Sequence, residues 1–170
     1  ITTASKAFYM NPPLGFSDYP LMSPRGSLMV GKLEDEADLR QALHSMQALV
    51  PTIEWWTQAE ILQLVPVLRP EAAVYGVYEP DAKDLDVHAI HQGFLRGAKS
   101  AGAQLVCDVP VNQISFEEGQ WCVSTPAGRF CAPVLVNAAG AWCDDMARLA
   151  DVKPVGLVPK RRTAITCDAP

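Results

Sequence analysis

Three patterns in the 170-residue sequence predict a mixed α/β fold with α+β character in its first half. A helical stripe from Val87 gives way, after Gly102, to a run of segments with period two. An apolar segment then passes through small residues into a polar helical pattern, "VLVNAAGAWCDDMARLA", Val134 to Ala150. Upstream of both, Pro- and Gly-rich stretches separate single short helices and strands rather than repeating βα units.

Residues 1–31 read as an irregular segment followed by a short strand at "GSLMVG". "EDEADLRQALHSMQAL" reads as a helix. Its acidic residues lie at the start, where the macrodipole favours them, and Leu39, Ala42, Leu43, Met46 and Leu49 form one stripe. "TQAE" offers a capping box between Thr57 and Glu60, opening a short helix through Leu64 that Pro66 ends. "AAVYGVYEP", Ala72 to Pro80, is strand-like and bounded by prolines.

Asp86 suits the N-cap of the next helix, Val87, Ile90, Phe94, Leu95 and Ala98 give its stripe, and Gly102 suits its C-terminal stop. Gly93 and Gly97, one turn apart, each cost about 1 kcal/mol of helix propensity, which suggests a backbone packed close to a sheet. Four strand candidates follow: "AQLVCDV", "VNQISFE", "QWCVST" and "RFCAPVLVNA". Glu118-Gly119 and Pro126-Ala127-Gly128 mark two tight hairpins, so a β-meander is expected. "PVLVNAA" is apolar on both faces, as a strand central to a covered sheet would be. A helix at "CDDMARLAD" and a last strand at "VGLVPKRRTAITCD" complete the order.

Bulk properties narrow the function classes. Hydrophobic residues make up 49% and charged residues 19%, a globular balance. A net charge of −5 argues against a phosphate-backbone binder, and the one basic cluster is Lys160-Arg161-Arg162. No apolar run is long enough to span a bilayer, and no signal-peptide layout opens the chain, so a cytoplasmic protein is expected. The five cysteines form no CxxC pair and are odd in number, which reads as reduced, mostly buried thiols. The opening "ITTASKAF" and the end at "CDAP" read as the ends of a piece cut from something longer.

The order of the second half resembles the FAD-dependent oxidoreductases of the D-amino acid oxidase superfamily, which includes glycine oxidase, sarcosine oxidase and related dehydrogenases. "YGVYEPDAKDLDVHAIHQGFLRGAKSAGAQL" is similar to that family's strand, acidic residue and helix ending in Gly-Ala. "DVPVNQISFEEGQWCVSTPAGRF" resembles its strand and meander, "VLVNAAGAW" its strand with a small-residue turn and Trp, and "GLVPKRRTAI" its return to the substrate domain. The likeness runs from Ala72 to Ile165, with a looser match upstream.

The resemblance implies part of a Rossmann-like FAD-binding domain with a meander, plus part of a mixed-sheet substrate domain. Residues 1–80 would belong to the substrate-binding domain and 81–153 to the FAD-binding domain, with 154–170 returning to the substrate domain. Family members clamp the flavin diphosphate with G-x-G-x-x-G, whose backbone approaches the phosphates. This chain has no such motif, so it is expected to retain FAD weakly and to be inactive alone.

Candidate residues follow from the resemblance and the local pattern together. Ala138, Ala139 and Gly140 either leave room for the cofactor at a strand's carboxyl end or simply make a close strand-to-helix turn. Trp142 either walls the flavin pocket or only packs. The resemblance puts the backbone of Val111 at the adenine ring, while its side chain by itself predicts burial. Arg161 and Arg162 are substrate-contact candidates, because a guanidinium can take a carboxylate in bidentate geometry; the other reading is a solvated strand start. His88 and His91 lie at i and i+3 without a third ligand, so no metal is expected.

No residue can be assigned a catalytic role from spacing. The reading is therefore an FAD-dependent enzyme oxidising an amine, amino acid or 2-hydroxy acid by hydride transfer to FAD, with a small-molecule substrate and no nucleic-acid partner. The alternative is a non-catalytic binding or interaction module that keeps the fold without flavin chemistry. Oligomeric state is unspecified by these patterns.

Overall fold

The computed structural model describes residues 2–166. Helix α1 (Thr2–Met10) opens the chain where the sequence suggested only irregular structure. The chain forms two compact units, one extending to Ala103 and including α1, the other starting at Gln104.

The first unit centres on an antiparallel sheet of β2 (Ser27–Gly31), β4 (Tyr75–Glu79) and β3 (Glu54–Thr57), with β4 in the middle. Helix α2 (Glu36–Gln47) buries its stripe on that sheet: Leu39, Ile53 and Val77 form the core, with Leu43 and Met46 packed around it. Leu49, expected in the stripe, lies beyond the helix end and is exposed. The Thr57–Glu60 capping box forms at the start of α3 (Gln58–Leu64), where the Glu60 carboxylate accepts from the Thr57 N–H at 2.7 Å. That bond and the Thr57 hydroxyl hold the Glu60 carboxyl below its ordinary pKa. A small ladder of β1 (Met22–Pro24) and β5 (Lys83–Leu85) completes the unit's strands.

Helix α4 (Val87–Ser100) begins as the sequence indicates, with the Asp86 carboxylate accepting from Ala89 N–H at 2.8 Å. It ends in a Schellman motif: Gly102 has φ +88°, and Ala103 N–H donates to Ala98 C=O. Gly93 does pack closely, but against an aromatic ring rather than a sheet. A Cβ there would lie 2.5 Å from the Phe16 ring, which sits among Phe8 and Phe94. Gly97 faces open space, so the close approach inferred for it is absent.

The second unit contains the expected meander: β6 (Gln113–Glu117), β7 (Gln120–Thr125) and β8 (Gly128–Ala132), all antiparallel. Glu118 (φ 51°) and Gly119 (φ 80°) make the first turn, with both residues left-handed as a type I′ hairpin requires. Helix α5 (Cys143–Leu149) follows.

Four expectations need correction. "AQLVCDV", "PVLVNAA" and the described part of "VGLVPKRRTAITCD" belong to no strand. Composition alone does not make a strand: one exists only where a neighbour exchanges ladder bonds with it, and among the described residues none of the three has such a partner. Val134 and Val136 are accordingly 72% and 79% exposed. The fourth concerns the thiols. Cys122 and Cys131 are directly opposed on β7 and β8 and joined as a disulfide, because the hairpin register brings their Cα atoms to 4.2 Å. Cys107 is free and exposed, Cys143 free and half-buried, and Cys167 lies outside the described residues. No described helix is long and apolar enough to cross a membrane.

Candidate functional site

The site is built around the end of the segment Val134–Asn137. Asn137 makes the turn that follows: its Oδ1 accepts from Ala139 N–H at 3.2 Å, and its Nδ2 donates to Cys143 C=O at 2.8 Å. These two bonds substitute a side chain for backbone partners, the usual work of Asn in a turn. Gly140 then takes φ +57°, and one tight turn, Gly140–Trp142, leads into α5. Only a residue without a Cβ enters that region without strain.

Between this turn, the meander and α5 lies a cavity of about 440 Å³. The meander contributes Ile114, Trp121 and Val123 to one wall, because alternation along the strands points these residues to the same side. Met146, Ala147 and Ala150 of α5 and its end supply another wall. Val111, Ala138 and Ala139 complete it, so three of the residues singled out in the sequence converge on one space. None of the lining side chains is titratable, and Asn137 is the one polar side chain among them. Val111 precedes β6, and its own N–H and C=O make no hydrogen bond among the described residues.

The remaining candidates fall elsewhere. Gly140 and Trp142 do not line the cavity; no atom comes within 4 Å of a Cβ built on Gly140, and Trp142 is 68% exposed. Arg161 and Arg162 are exposed on the extended segment after α5. His88 and His91 are exposed on α4. Two residues escaped the sequence reading. Asn137 was legible as an Asn ahead of small turn residues. Asp144 had no local signal, since an acidic residue in a helix's first turn is commonplace.

Such a cavity can take an uncharged, flat apolar group and offer backbone hydrogen bonds at its edge. With no acid or base in its lining, it performs no proton chemistry of its own.

Known proteins share both sequence and fold with this chain. Human mitochondrial dimethylglycine dehydrogenase is 30% identical over 91 residues, covering 53% of this chain and 10% of that protein. Glycine oxidase of Geobacillus kaustophilus is 28% identical over 119 residues, covering 69% of this chain and 32% of that enzyme. The L-alpha-glycerophosphate oxidase of Mycoplasma pneumoniae, solved dithionite-reduced with FAD bound, superposes with a TM-score of 0.70 at 22% identity. That match covers 87% of this chain and 40% of the oxidase chain, and at such identity it speaks for the fold alone. The fold is therefore the mixed helix-and-sheet arrangement of FAD-binding oxidoreductases, of which this chain spans less than half the length. Residues 16–170 match the sequence profile described as FAD dependent oxidoreductase, and the chain belongs to that family.

Proposed function

We propose that this chain supplies one side of the FAD site in an enzyme oxidising an amine, an amino acid or a 2-hydroxy acid. The observation carrying this reading is the convergence of Val111, Ala138 and Ala139 on a cavity without charged lining, in a chain of this family. The residues fit the group. Small side chains leave the space open, the Val111 backbone groups can meet the edge of a heteroaromatic ring, and the left-handed Gly140 keeps the turn free of side-chain bulk. FAD, when bound, supplies the acceptor for the hydride that leaves the substrate carbon; a proton leaves the heteroatom, giving an imine or ketone.

The protein's own contribution here is positional. Asn137 shapes the turn at the cavity, the meander and α5 wall it with apolar side chains, and Trp142 closes the short turn that leads into α5. One of Arg161 and Arg162 is assigned to the substrate's carboxylate, which a guanidinium receives through two parallel N–H bonds. Residues 81–153 are assigned to the flavin side, and 1–80 with 154–170 to the substrate side. Nothing observed favours the non-catalytic alternative.

Without G-x-G-x-x-G the chain alone holds no diphosphate clamp, so weak flavin retention and no turnover are expected of it. Two observations test the assignment. The coding sequence preceding Ile1 should read strand, G-x-G-x-x-G, helix; its absence there would remove the FAD reading. Amine- or hydroxy-acid-dependent bleaching of flavin absorbance by the whole enzyme is the positive result, and a flavin-free whole enzyme is the negative one.

A further inference from the structure

Among the described residues Asp144 is the one charged side chain that is buried, at 8% exposure, and the cavity does not use it. Its carboxylate accepts from three consecutive backbone N–H groups: Val155 at 3.1 Å through Oδ1, and Gly156 at 3.1 Å and Leu157 at 3.0 Å through Oδ2. Gly156 has φ +83°, a left-handed kink that lets successive N–H groups converge on one anion. The anion received by this backbone nest is a side chain from the first turn of α5, eleven residues upstream. No other hydrogen bond or ion pair of residues 155–166 occurs among the described residues, residues 158–166 join no strand, and Val155 and Val158 are 78% and 69% exposed.

We propose that Asp144 is a positioning residue, which pins Val155–Leu157 to α5 and so fixes the course that Lys160, Arg161 and Arg162 follow within the same unit. The same helix walls the cavity with Met146 and Ala147. A single carboxylate thus ties the course of the basic triplet to the frame that shapes the cavity. The use of that triplet for a substrate carboxylate rests on the function proposed above, whereas the pinning itself does not.

Asparagine at 144 offers one acceptor atom where the carboxylate offers two, so at least one of the three N–H groups loses its partner. In the chain as it stands, Asp144→Asn should speed amide exchange at Val155, Gly156 and Leu157 by ~10-fold or more, the loss of one charge-assisted bond. Trypsin cleavage after Lys160, Arg161 and Arg162 should accelerate with it. Asp144→Glu, which keeps both oxygens, should restore part of the protection. Asp145→Asn, beside it but exposed and paired with Arg148, should change neither readout.

Gly156→Ala approaches the nest from the other side. It meets no atom within 4 Å but strains the left-handed backbone, and it should reproduce the Asp144→Asn pattern. Meander amides serve as the internal reference. Unchanged exchange at 155–157, unchanged cleavage at the triplet, or equal loss of protection across the meander would each overturn the proposal. No arm involves flavin or substrate, so a failure here leaves the FAD reading standing, and a flavin-free enzyme leaves the pinning standing.

Discussion

Cys122 and Cys131 stand directly opposite each other on β7 and β8, with Cα atoms 4.2 Å apart and their sulfurs joined. Cys122 is buried while Cys131 is exposed, so the bond bridges the inside and the surface of one hairpin. Digestion of the unreduced protein should yield a linked pair of peptides carrying these residues, with Cys107 alkylated readily. Alkylation of Cys122 and Cys131 without prior reduction contradicts the pairing. Cys131→Ser should destabilise the unit by at most about 3 kcal/mol, the chain-entropy value for so short a loop, because the hairpin turn already closes it.

Two glycines of α4 should respond in opposite directions to the same substitution. Gly93→Ala drives a methyl group to 2.5 Å from the Phe16 ring, which Phe8 and Phe94 hold in place and whose backbone carbonyl accepts from Arg96. Overpacking of that kind costs about 1–3 kcal/mol, against a helix-propensity gain of about 1 kcal/mol. Gly97→Ala meets nothing and should gain up to about 1 kcal/mol. Urea midpoints of the two variants lying on the same side of the parent's would contradict the placement of Phe16.

Filling the cavity should displace the cofactor. Ala139→Leu adds bulk to a wall shared with Val111 and Ala138, and flavin affinity of the whole enzyme should fall by at least ~10-fold, or about 1.4 kcal/mol. Flavin content of the purified variant equal to that of the parent would place the cofactor elsewhere.

Two glutamates should titrate below their ordinary value. The Ser115 hydroxyl, and after it Arg129, hold the Glu117 carboxyl down, as the Thr57 N–H and then its hydroxyl do for Glu60. A folded pKa below the unfolded one gives stability that is fully present above the unfolded value and lost as pH falls through the folded value. The effect therefore lies on the acid side of the glutamate range and leaves neutral pH untouched. Carboxyl-carbon titration by NMR measures both midpoints. A value at or above the ordinary glutamate pKa for either residue would contradict the corresponding hydrogen bonds.

What was legible in the sequence was short-range. The Asp86 cap, the Gly102 stop, the Thr57–Glu60 box and both hairpin turns each involve residues within a few positions, so composition at those positions specifies them. Val111, Ala138 and Ala139 were also named from the sequence and the resemblance, yet only the folded chain, in which the meander's register sets one wall, shows that they share a space. The disulfide depends on that same register, which pairs Cys122 with Cys131 and which cysteine spacing alone does not reveal. Val134–Asn137 has a strand's composition, but a strand is a relation between two segments and its apolar pattern describes one. Asp144 was invisible because its partners lie beyond the helix, reached only after the chain turns back.

The meander bears on the order in which this chain acquires its structure. Every ladder bond in β6, β7 and β8 joins neighbours along the sequence, across turns of the tightest kind. Closing such loops sacrifices little chain entropy, and hairpins of this kind form within microseconds. On a ribosome the three strands can pair as soon as they emerge, before α5 exists to wall the cavity. The later segments then arrive at a surface whose side chains already face one way, and the nucleus of the second unit is expected to lie in residues 113–132.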